Sequence, residues 1–388
     1  MPDKKKVLLF SFAPPENHGG IRILLYRHFR INNDFDFKLV TDAEFATEDI
    51  PHLRVGLGRI LNRLKKTRFH RWVLDWQNLV WPNQIPKSVR CLVKNYKPDV
   101  VFTIPDNSLS WMAVRVAQHY RLPLVSFFMD WVPVMDDHIG HKFTAPLLDN
   151  RFRKIHRLSR VSIGICQGML DELGPHPDAR VIYPIPAKRD YPTARPKPSS
   201  TDRTSILYIG NTQAFYGKIL ERLLIEAQKW PDVDLKIVGP PPRWNDAVLD
   251  SAKRSGVYLG YKNSDEVSDL CSAADFLLVV MSFENNERLF TETCFPTKVS
   301  DYTAWGKPLL VWAPTYASPF QLKMTGPCFL RIEENNPSLV LKKAIDTKRN
   351  QRGWVDFAWA ALKAREVRFH PALLQEKFRE ALERAANP

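Results

Sequence analysis

The stretch that decides the fold is SILYIGNTQAFYGKIL, residues 205–220. A short apolar run is followed by a loop between two glycines, and then by apolar residues at helical spacing. A strand that passes through a glycine loop into a helix is the repeating element of a doubly wound α/β sheet. The stretch is not a P-loop, because six residues separate Gly210 from Gly217 and Ile219 stands where Ser or Thr would hold magnesium. We therefore exclude nucleoside-triphosphate hydrolysis.

The same alternation of strand and helix patterns extends in both directions. It stops between residues 184 and 204, where five prolines predict a linker, and resumes at 205. We predict two Rossmann-like doubly wound domains with parallel sheets, facing each other across a cleft. The predicted segments are a domain at 1–185, a linker at 186–204, a second domain at 205–350, and a helical tail at 351–388 that can pack back on the first domain.

Charge is concentrated in one part of the chain. The net charge is +14, and residues 52–97 hold eleven Lys or Arg against a single acid, Asp75, with several aromatic residues between them. This composition favours an anionic membrane surface, each cation adding about 1 kcal/mol near the headgroups. The alternatives are nucleic acid, which we do not expect, and a solvated helical face whose aromatic residues pack inward. No apolar run reaches the ~20 residues that span a bilayer.

The five cysteines are scattered, odd in number and without metal-type spacing. They predict reduced core thiols in a cytoplasmic protein rather than disulfides or a metal site.

Ligands of doubly wound sheets bind at the carboxyl ends of the strands, so the loops that follow strands hold the candidate residues. After the first strand, Gly19 and Gly20 let the backbone approach a ligand and open a helix whose N-terminus favours an anion. After the strand at 122–128, Asp130 is placed to contact a sugar or a moving proton. Each residue also has a structural explanation, a tight turn for the glycines and a helix cap for the acid.

Two loops of the second domain suggest phosphate binding. Lys218 lies beside a glycine turn, where an ammonium is a good partner for a phosphate. In FPTKVSD, residues 295–301, Thr297 and Lys298 fall in the first turn of a helix, where amide groups are free. Asp301 lies one turn further on the same face and can accept hydrogen bonds from ribose hydroxyls. A capped helix with an exposed ion pair is the alternative.

Together, these motifs resemble those of the family 4 retaining glycosyltransferases of the GT-B fold. The resemblance covers most of the chain, and the stretch from Pro296 to Pro308 is its most specific part. It implies retaining transfer of a sugar from a nucleoside-diphosphate sugar, without a cofactor or an obligatory metal. The expected acceptor is a glycan or a lipid-linked glycan, and the basic segment at 52–97 would then dock on the inner membrane face. It assigns the acceptor side to the domain at 1–185 and nucleotide-sugar binding to the domain at 205–350. It assigns catalytic positions to His18, Asp130 and Lys218. The implied donor-binding residues are Gly19, Gly20, Gly210, Asn211, Gly239, Gly260, Tyr261, Glu284, Arg288, Thr297, Lys298 and Asp301.

The sequence departs from the family at one cationic position. Asn211 stands where an arginine usually follows the glycine, so Arg288, in a longer loop, is the candidate replacement. The family has a pair of glutamates that bracket a short loop. In this sequence Asp301 fills the second place, and either Glu284 or Glu292 fills the first. Two other functions stay open. One is a decayed transferase that binds nucleotide sugars as a scaffold, which Asn211 favours, and the other is a sugar-nucleotide epimerase on the same fold.

Overall fold

The computed structural model describes residues 4–17, 19–44, 49–135, 138–189, 195–322 and 327–387. The chain divides into two units. The first comprises Met1–Ile185 and Ala372–Pro388, and the second Pro186–Pro371. The segment expected to be a linker therefore belongs to the second unit, and the C-terminal tail is shared between the two.

The first unit contains a seven-stranded parallel sheet in the order β3-β2-β1-β4-β5-β6-β7. Its strands are β1 (Lys6–Phe10), β2 (Asp36–Thr41), β3 (His52–Arg54), β4 (Val100–Thr103), β5 (Leu124–Phe128), β6 (Val161–Gly164) and β7 (Ala179–Val181). Its helices before the second unit are α1 (Gly20–Leu25), which continues as a π-helical segment Tyr26–Ile31, α2 (Gly58–Leu64), α3 (His70–Leu79), α4 (Lys87–Tyr96), α5 (Ser108–Tyr120), α6 (Ala145–Leu158) and α7 (Gln167–Leu173).

The second unit contains a five-stranded parallel sheet in the order β12-β11-β10-β8-β9. Its strands are β8 (Thr204–Ile209), β9 (Val233–Val238), β10 (Phe276–Val280), β11 (Leu309–Trp312) and β12 (Leu330–Ile332). Its helices are α8 (Ala214–Ala227), α9 (Asp246–Arg254), α10 (Ser264–Ala273), α11 (Arg288–Thr293), α12 (Thr297–Tyr302), α13 (Pro337–Arg349) and α14 (Gln351–Val367). The last helix of the chain is α15 (Pro371–Ala386).

The central strands are buried from end to end. Every residue of β4, β5, β6, β10 and β11 is buried, which explains why these segments are nearly continuous apolar runs instead of alternating ones. Parallel sheets covered by helices on both faces have this composition. The two sheets confirm the prediction of paired doubly wound domains.

Helix α15 completes the core of the first unit. Phe378 stacks on His28, with 4.1 Å between ring centroids, and meets Phe29 and Phe102 edge-on. Gln375 Oε1 lies 2.8 Å from His28 Nδ1. Burial lowers the pKa of His28 to about 4, so this imidazole is neutral and belongs to the packing.

Asp275, just before β10, anchors the start of the second sheet. Its buried carboxylate accepts hydrogen bonds from the Ser199 amide at 2.7 Å, the Ser205 amide at 2.9 Å and the Lys348 ammonium at 2.7 Å. The Trp354 indole donates to its carbonyl at 3.2 Å. The buried charge is thus paired and hydrogen-bonded, as stability requires.

One expectation about the cysteines is wrong. Cys91 is exposed on α4, while Cys166, Cys271 and Cys328 are buried. The hydrophobic stripe of α4 runs through Val89 and Val93, which leaves position 91 on the outer face. Among the described residues, no helix is long and apolar enough to cross a membrane.

Candidate functional site

The strand order of the second sheet reverses between β8 and β10. At such a switch point the loops after the two strands diverge and leave a crevice at the carboxyl edge of the sheet. The loop after β8 begins at Gly210, and the segment after β10 leads through α11 to α12, which carries Lys298.

Lys298 lies directly against Gly210. A Cβ at position 210 would overlap Cε and Nζ of the lysine, so the ammonium occupies the space that any other side chain would fill. A second close approach lies beside it, because a Cβ at Gly239 would overlap the carbonyl oxygen of Gly210. The glycines at the ends of β8 and β9 thus let two backbone segments and one cation meet at the edge of the sheet.

The electrostatics of Lys298 are unusual for a lysine. Desolvation by the surrounding protein lowers its pKa to about 8, and the negative charge of Asp301 acts in the opposite direction. A desolvated ammonium at the edge of a sheet is well suited to an anionic ligand. The Asp301 carboxylate also accepts a hydrogen bond from the Ala187 amide at 3.0 Å, a structural role that the sequence did not suggest.

Two tyrosines fix the backbone around Lys298. The buried Tyr302 hydroxyl accepts from the Ile209 amide at 2.9 Å and lies 3.2 Å from the Ile209 carbonyl oxygen, which caps the end of β8. The Tyr208 hydroxyl donates to the Asn211 carbonyl at 2.6 Å. Neither tyrosine is among the site residues predicted from the sequence. The signal that could have identified them is a tyrosine near the end of a buried strand, for Tyr208, and at the end of a short helix, for Tyr302.

Asn211 shapes the loop with its side chain. Its Oδ1 accepts from the Gln213 amide at 2.9 Å, an arrangement that helps α8 to begin. Lys218 follows in the second turn of α8 and is exposed. The neutral Asn211 side chain adds no charge to the site.

Arg288 and Glu284 lie on the outer part of the loop after β10. The Arg288 guanidinium is 2.9 Å from Glu292 and 4.7 Å from the centre of the Tyr316 ring, so its charge is already shared. Glu284 is exposed. The structure therefore brings together Gly210, Gly239 and Lys298, with Asp301 close enough to influence the lysine. Arg288 and Glu284 lie at the periphery of this group.

Gly260 and Tyr261 form the outer wall beside β9. The Gly239 amide donates to the Gly260 carbonyl at 3.0 Å, and Gly260 adopts a φ of 68°, which favours glycine. Tyr261 is exposed and presents its ring to solvent. Thr297 is the first residue of α12, as predicted.

In the first unit, Gly19 and Gly20 begin α1, and Gly19 has a φ of 70°. Among the described residues, no atom lies within 4 Å of a Cβ placed on either glycine, so this backbone is accessible. Asp130 follows β5, and its negative charge acts on Asp106 in the neighbouring loop. His18 lies outside the described residues.

The basic segment at 52–97 exposes some of its aromatic residues, whereas Tyr96 is buried. Trp72 is 60% exposed, Phe143 on a neighbouring turn is 67% exposed, and Ile60 on α2 is 76% exposed. We name this region the aromatic–basic surface and define it by Ile60, Phe69, Trp72, Phe143 and Leu147 with Arg63, Lys66, Arg68, Arg71 and Lys142. Its apolar members do not pack inward, which contradicts the solvated-face alternative for these side chains. Across the described ranges, no group of His, Cys, Asp or Glu is arranged to hold a metal ion.

No protein-family model matches the chain, and no curated protein sequence matches it significantly. Solved structures match along nearly its whole length. Sucrose-phosphate synthase from Thermosynechococcus elongatus aligns with a TM-score of 0.68 at 12% identity, over 98% of this chain and 99% of that one. The Anabaena protein HepE, in complex with UDP-glucose, aligns with a TM-score of 0.65 at 13% identity, over 98% of this chain and 99% of that one. A glycosyltransferase from Rickettsia africae aligns with a TM-score of 0.65 at 14% identity, over 99% of each. The chain therefore has the GT-B glycosyltransferase fold.

Proposed function

We propose that this protein is a retaining glycosyltransferase, similar to family 4, that moves a sugar from a nucleoside-diphosphate sugar to a glycan or lipid-linked acceptor. The observation that carries the proposal is the Lys298 ammonium, held against Gly210 at the switch point of the second sheet with Asp301 one turn away on α12. Ligands of doubly wound folds bind at this edge of the sheet, and an ammonium there is a good partner for a phosphate.

The chemistry of the site fits a diphosphate leaving group. Sugar transfer builds negative charge on the phosphate that departs, and preorganised cations and amides stabilise that charge. We propose that Lys298 supplies a cation at the edge of the sheet, that Thr297 supplies a first-turn amide, and that Lys218, on α8, is a second cation. Asp301 is proposed to hold the ribose, and His18 or Asp130 to orient sugar or acceptor hydroxyls. Two lysines provide the positive charge, and we propose that no metal or cofactor is needed.

Similarity of fold to a protein that binds UDP-glucose supports a nucleotide sugar as the donor. The base and the sugar stay open.

The aromatic–basic surface supports a peripheral position on the inner face of a membrane, in the cytoplasm. Trp72 and Phe143 can enter the interface of an anionic bilayer while the surrounding Lys and Arg contact headgroups. The change to test is Trp72→Ser with Phe143→Ser, and the matched control is Trp359→Ser, because Trp359 is also exposed but lies on α14 of the second unit. We expect the double variant to lose most sedimentation with phosphatidylglycerol vesicles in low salt, and the control to bind like the parent. Equal binding by all three proteins would contradict a membrane role for this surface.

The experiment that tests transfer is a survey of nucleoside-diphosphate sugars with glycan and lipid-linked acceptors, in which released nucleotide and glycosylated product are both measured. We expect one donor to yield both in equal amounts, and Lys298→Ala to lose at least about 100-fold in rate, since removal of one donor to a developing charge typically costs that much. NMR of the new linkage then tests retention. Nucleotide release without glycosylated product would favour an epimerase, and nucleotide binding without turnover would favour a scaffold.

A further inference from the structure

A cavity of about 370 Å³ opens at the amino edge of the first sheet. It lies where α5 and α6 end, and its wall includes Leu124, the first residue of β5, and Arg160, which precedes β6 by one residue. Ligands of doubly wound folds bind at the opposite, carboxyl edge, so this cavity is separate from the candidate residues described above. The apolar residues of its wall are Val114, Ala117, Leu122, Pro123, Leu124 and Leu158. We call it the amino-edge cavity.

The polar residues of the wall carry positive charge. Arg121 and Arg160 are both exposed, and Gln118 is neutral. Among the described residues, no acid lines the cavity and neither arginine forms an ion pair. Arg160 donates a hydrogen bond to the Asn387 carbonyl at 2.6 Å, a neutral partner that leaves its charge uncompensated. The cavity therefore combines an apolar interior with two exposed cations.

Positive charge continues from the cavity along α5. Arg115 lies one turn before Gln118, and its guanidinium donates to Gln118 Oε1 at 3.3 Å. The whole of α5 contains no acid. Since an α-helix rises about 1.5 Å per residue, Arg115 and Arg121 lie about 9 Å apart along its axis. That distance is close to the length of about three residues of an extended peptide.

The neighbouring side of α6 is also basic. Lys154 is exposed, and its ammonium lies 5.8 Å from the centre of the Trp111 ring, so its charge faces α5. One turn further along α6, Leu158 is 38% exposed and belongs to the wall of the cavity. The acid of α6, Asp149, is paired with Arg153 at 2.9 Å. We name this region the α5–α6 groove and define it by Arg115, Gln118, Arg121, Lys154, Leu158 and Arg160.

The charge and the shape of the groove together restrict what can bind there. Its cations have no acidic partner among the described residues, so they attract an anionic ligand and speed its encounter. The apolar cavity beside Arg121 and Arg160 in addition favours a ligand that carries an apolar group next to its negative charges. An acidic peptide with one apolar side chain has both features.

Other polyanions match the groove less well. Nucleic acid stacks its bases on aromatic faces in basic grooves, whereas the Trp111 ring already has the cations of Arg151 and Lys154 at 5.0 Å and 5.8 Å from its centre. A glycan chain offers hydroxyls rather than an apolar group to the cavity. A bilayer presents a broad interface to exposed apolar side chains, and the apolar wall of this cavity is recessed between two helices.

We propose that the α5–α6 groove docks an acidic, extended segment of a partner protein. One apolar side chain of that segment enters the amino-edge cavity, and the carboxylates before and after it contact the cations of the groove. The inference does not depend on the proposed transfer, because the groove contains none of the candidate donor-binding or catalytic residues.

The test is fluorescence anisotropy of labelled peptides with the full chain in low salt. The probes have the sequence Gly-Glu-Asp-Xaa-Glu-Asp-Gly with blocked ends, where Xaa is Leu, Phe, Met or Ser. A further probe keeps Leu at this position and has Gln and Asn in place of the acids. A single-stranded oligothymidylate and a heparin tetrasaccharide are the competing polyanions.

Two variants alter the groove. The first combines Arg121→Asn with Arg160→Gln and removes two charges. Asparagine is chosen at position 121 because the backbone there has a φ of 54°, which asparagine tolerates. The second variant, Leu158→Ser, removes an exposed apolar side chain from the wall of the cavity.

The matched controls lie at exposed positions of the second unit. Arg254→Gln combined with Lys342→Gln removes the same number of charges, and Ile225→Ser removes an apolar side chain that is 47% exposed. Thermal unfolding establishes that each variant and each control is folded.

We expect at least one peptide with an apolar Xaa to bind the parent at least about tenfold more tightly than the Ser peptide and the uncharged peptide. The double variant at Arg121 and Arg160 should weaken that binding at least about tenfold. Leu158→Ser should reduce the preference for the apolar peptide over the Ser peptide at least about threefold. Both controls should bind like the parent.

The proposal is overturned if no apolar peptide binds at millimolar concentration, or if the Ser peptide binds equally well. It is also overturned if the control at Arg254 and Lys342 weakens binding as much as the variant at Arg121 and Arg160, because the net charge of +14 would then explain the binding. Tighter binding of the oligothymidylate or of heparin than of every peptide, lost in the same variant, would assign the groove to that polyanion and overturn the peptide.

Discussion

The pKa of Lys298 leads to a quantitative prediction about nucleotide binding. The free protein has a pKa of about 8 at this ammonium, so the charged fraction falls from about nine-tenths at pH 7 to about one-tenth at pH 9. A diphosphate binds the charged form and raises the pKa in the complex. The apparent dissociation constant of a nucleoside diphosphate should therefore increase about tenfold between pH 7 and pH 9, which corresponds to ~1.4 kcal/mol.

The sign follows from proton linkage. The complex holds more protons than the free protein near pH 8, so binding takes up about half a proton there, and affinity must fall as pH rises. Isothermal titration calorimetry in two buffers of different ionisation enthalpy measures this uptake directly. Lys298→Arg is the control, because a guanidinium stays charged throughout this range and should remove the pH dependence even if its affinity differs. An affinity that stays constant from pH 7 to pH 9 in the parent would refute the placement of the diphosphate on Lys298.

Other substitutions test binding and folding. Gly210→Ala should displace the flexible end of Lys298 and weaken nucleotide binding about tenfold or more, and the φ of 156° at this position should also cost about 1–3 kcal/mol of unfolding free energy. Gly239→Ala meets backbone and should cost about 1–3 kcal/mol as well; unchanged melting temperatures in both variants would contradict these packing assignments. Asp301→Asn keeps an acceptor but loses the charge, so titration should show affinity reduced about threefold to tenfold, while Asp301→Ala should reduce melting temperature as well; unchanged nucleotide affinity in both would remove this residue from the site. Phe378→Ala should cost about 3–5 kcal/mol in urea unfolding, since its ring is fully buried, and a loss below about 1 kcal/mol would mean that α15 contributes little to the first unit.

The fold could be predicted because the central strands carry the information locally. A strand such as β10, buried at all five residues, must be an unbroken apolar run whatever surrounds it. The three-residue strands β3 and β12 could not be found this way, because an edge strand needs few apolar residues and its pairing is set by the neighbouring strand.

The candidate site was only partly predictable, for a related reason. Lys298 and Asp301 lie within one turn of a helix, and their spacing is visible in the sequence. The close approach of the Lys298 side chain to Gly210 joins positions far apart in the chain, as does the hydrogen bond between Tyr302 and Ile209. Such contacts arise from the order of strands in the sheet, and no local sequence pattern predicts them.

The cavity at the carboxyl edge of the first sheet, lined by Gln77, Asp106 and Ser108, shows the same limit. Gln77 comes from α3, and Asp106 and Ser108 come from the end of β4 and the start of α5. A single acid after a strand is common, and only its burial without a partner among the described residues distinguishes this one. The outward orientation of Trp72 was equally undetermined, since helical spacing alone does not say which face of α3 is covered.

The measurement that tests the central claim most directly is the binding of uridine, guanosine, adenosine, thymidine and cytidine diphosphates, followed by thermal shift on the parent and on Lys298→Ala. A ligand at 100 times its dissociation constant adds ~2.7 kcal/mol to stability, which raises the melting temperature by several degrees. We predict a shift with one base that is lost in the variant. The absence of a shift with every nucleotide, or an equal shift in the parent and Lys298→Ala, would contradict a nucleotide-sugar site at the carboxyl edge of the second sheet.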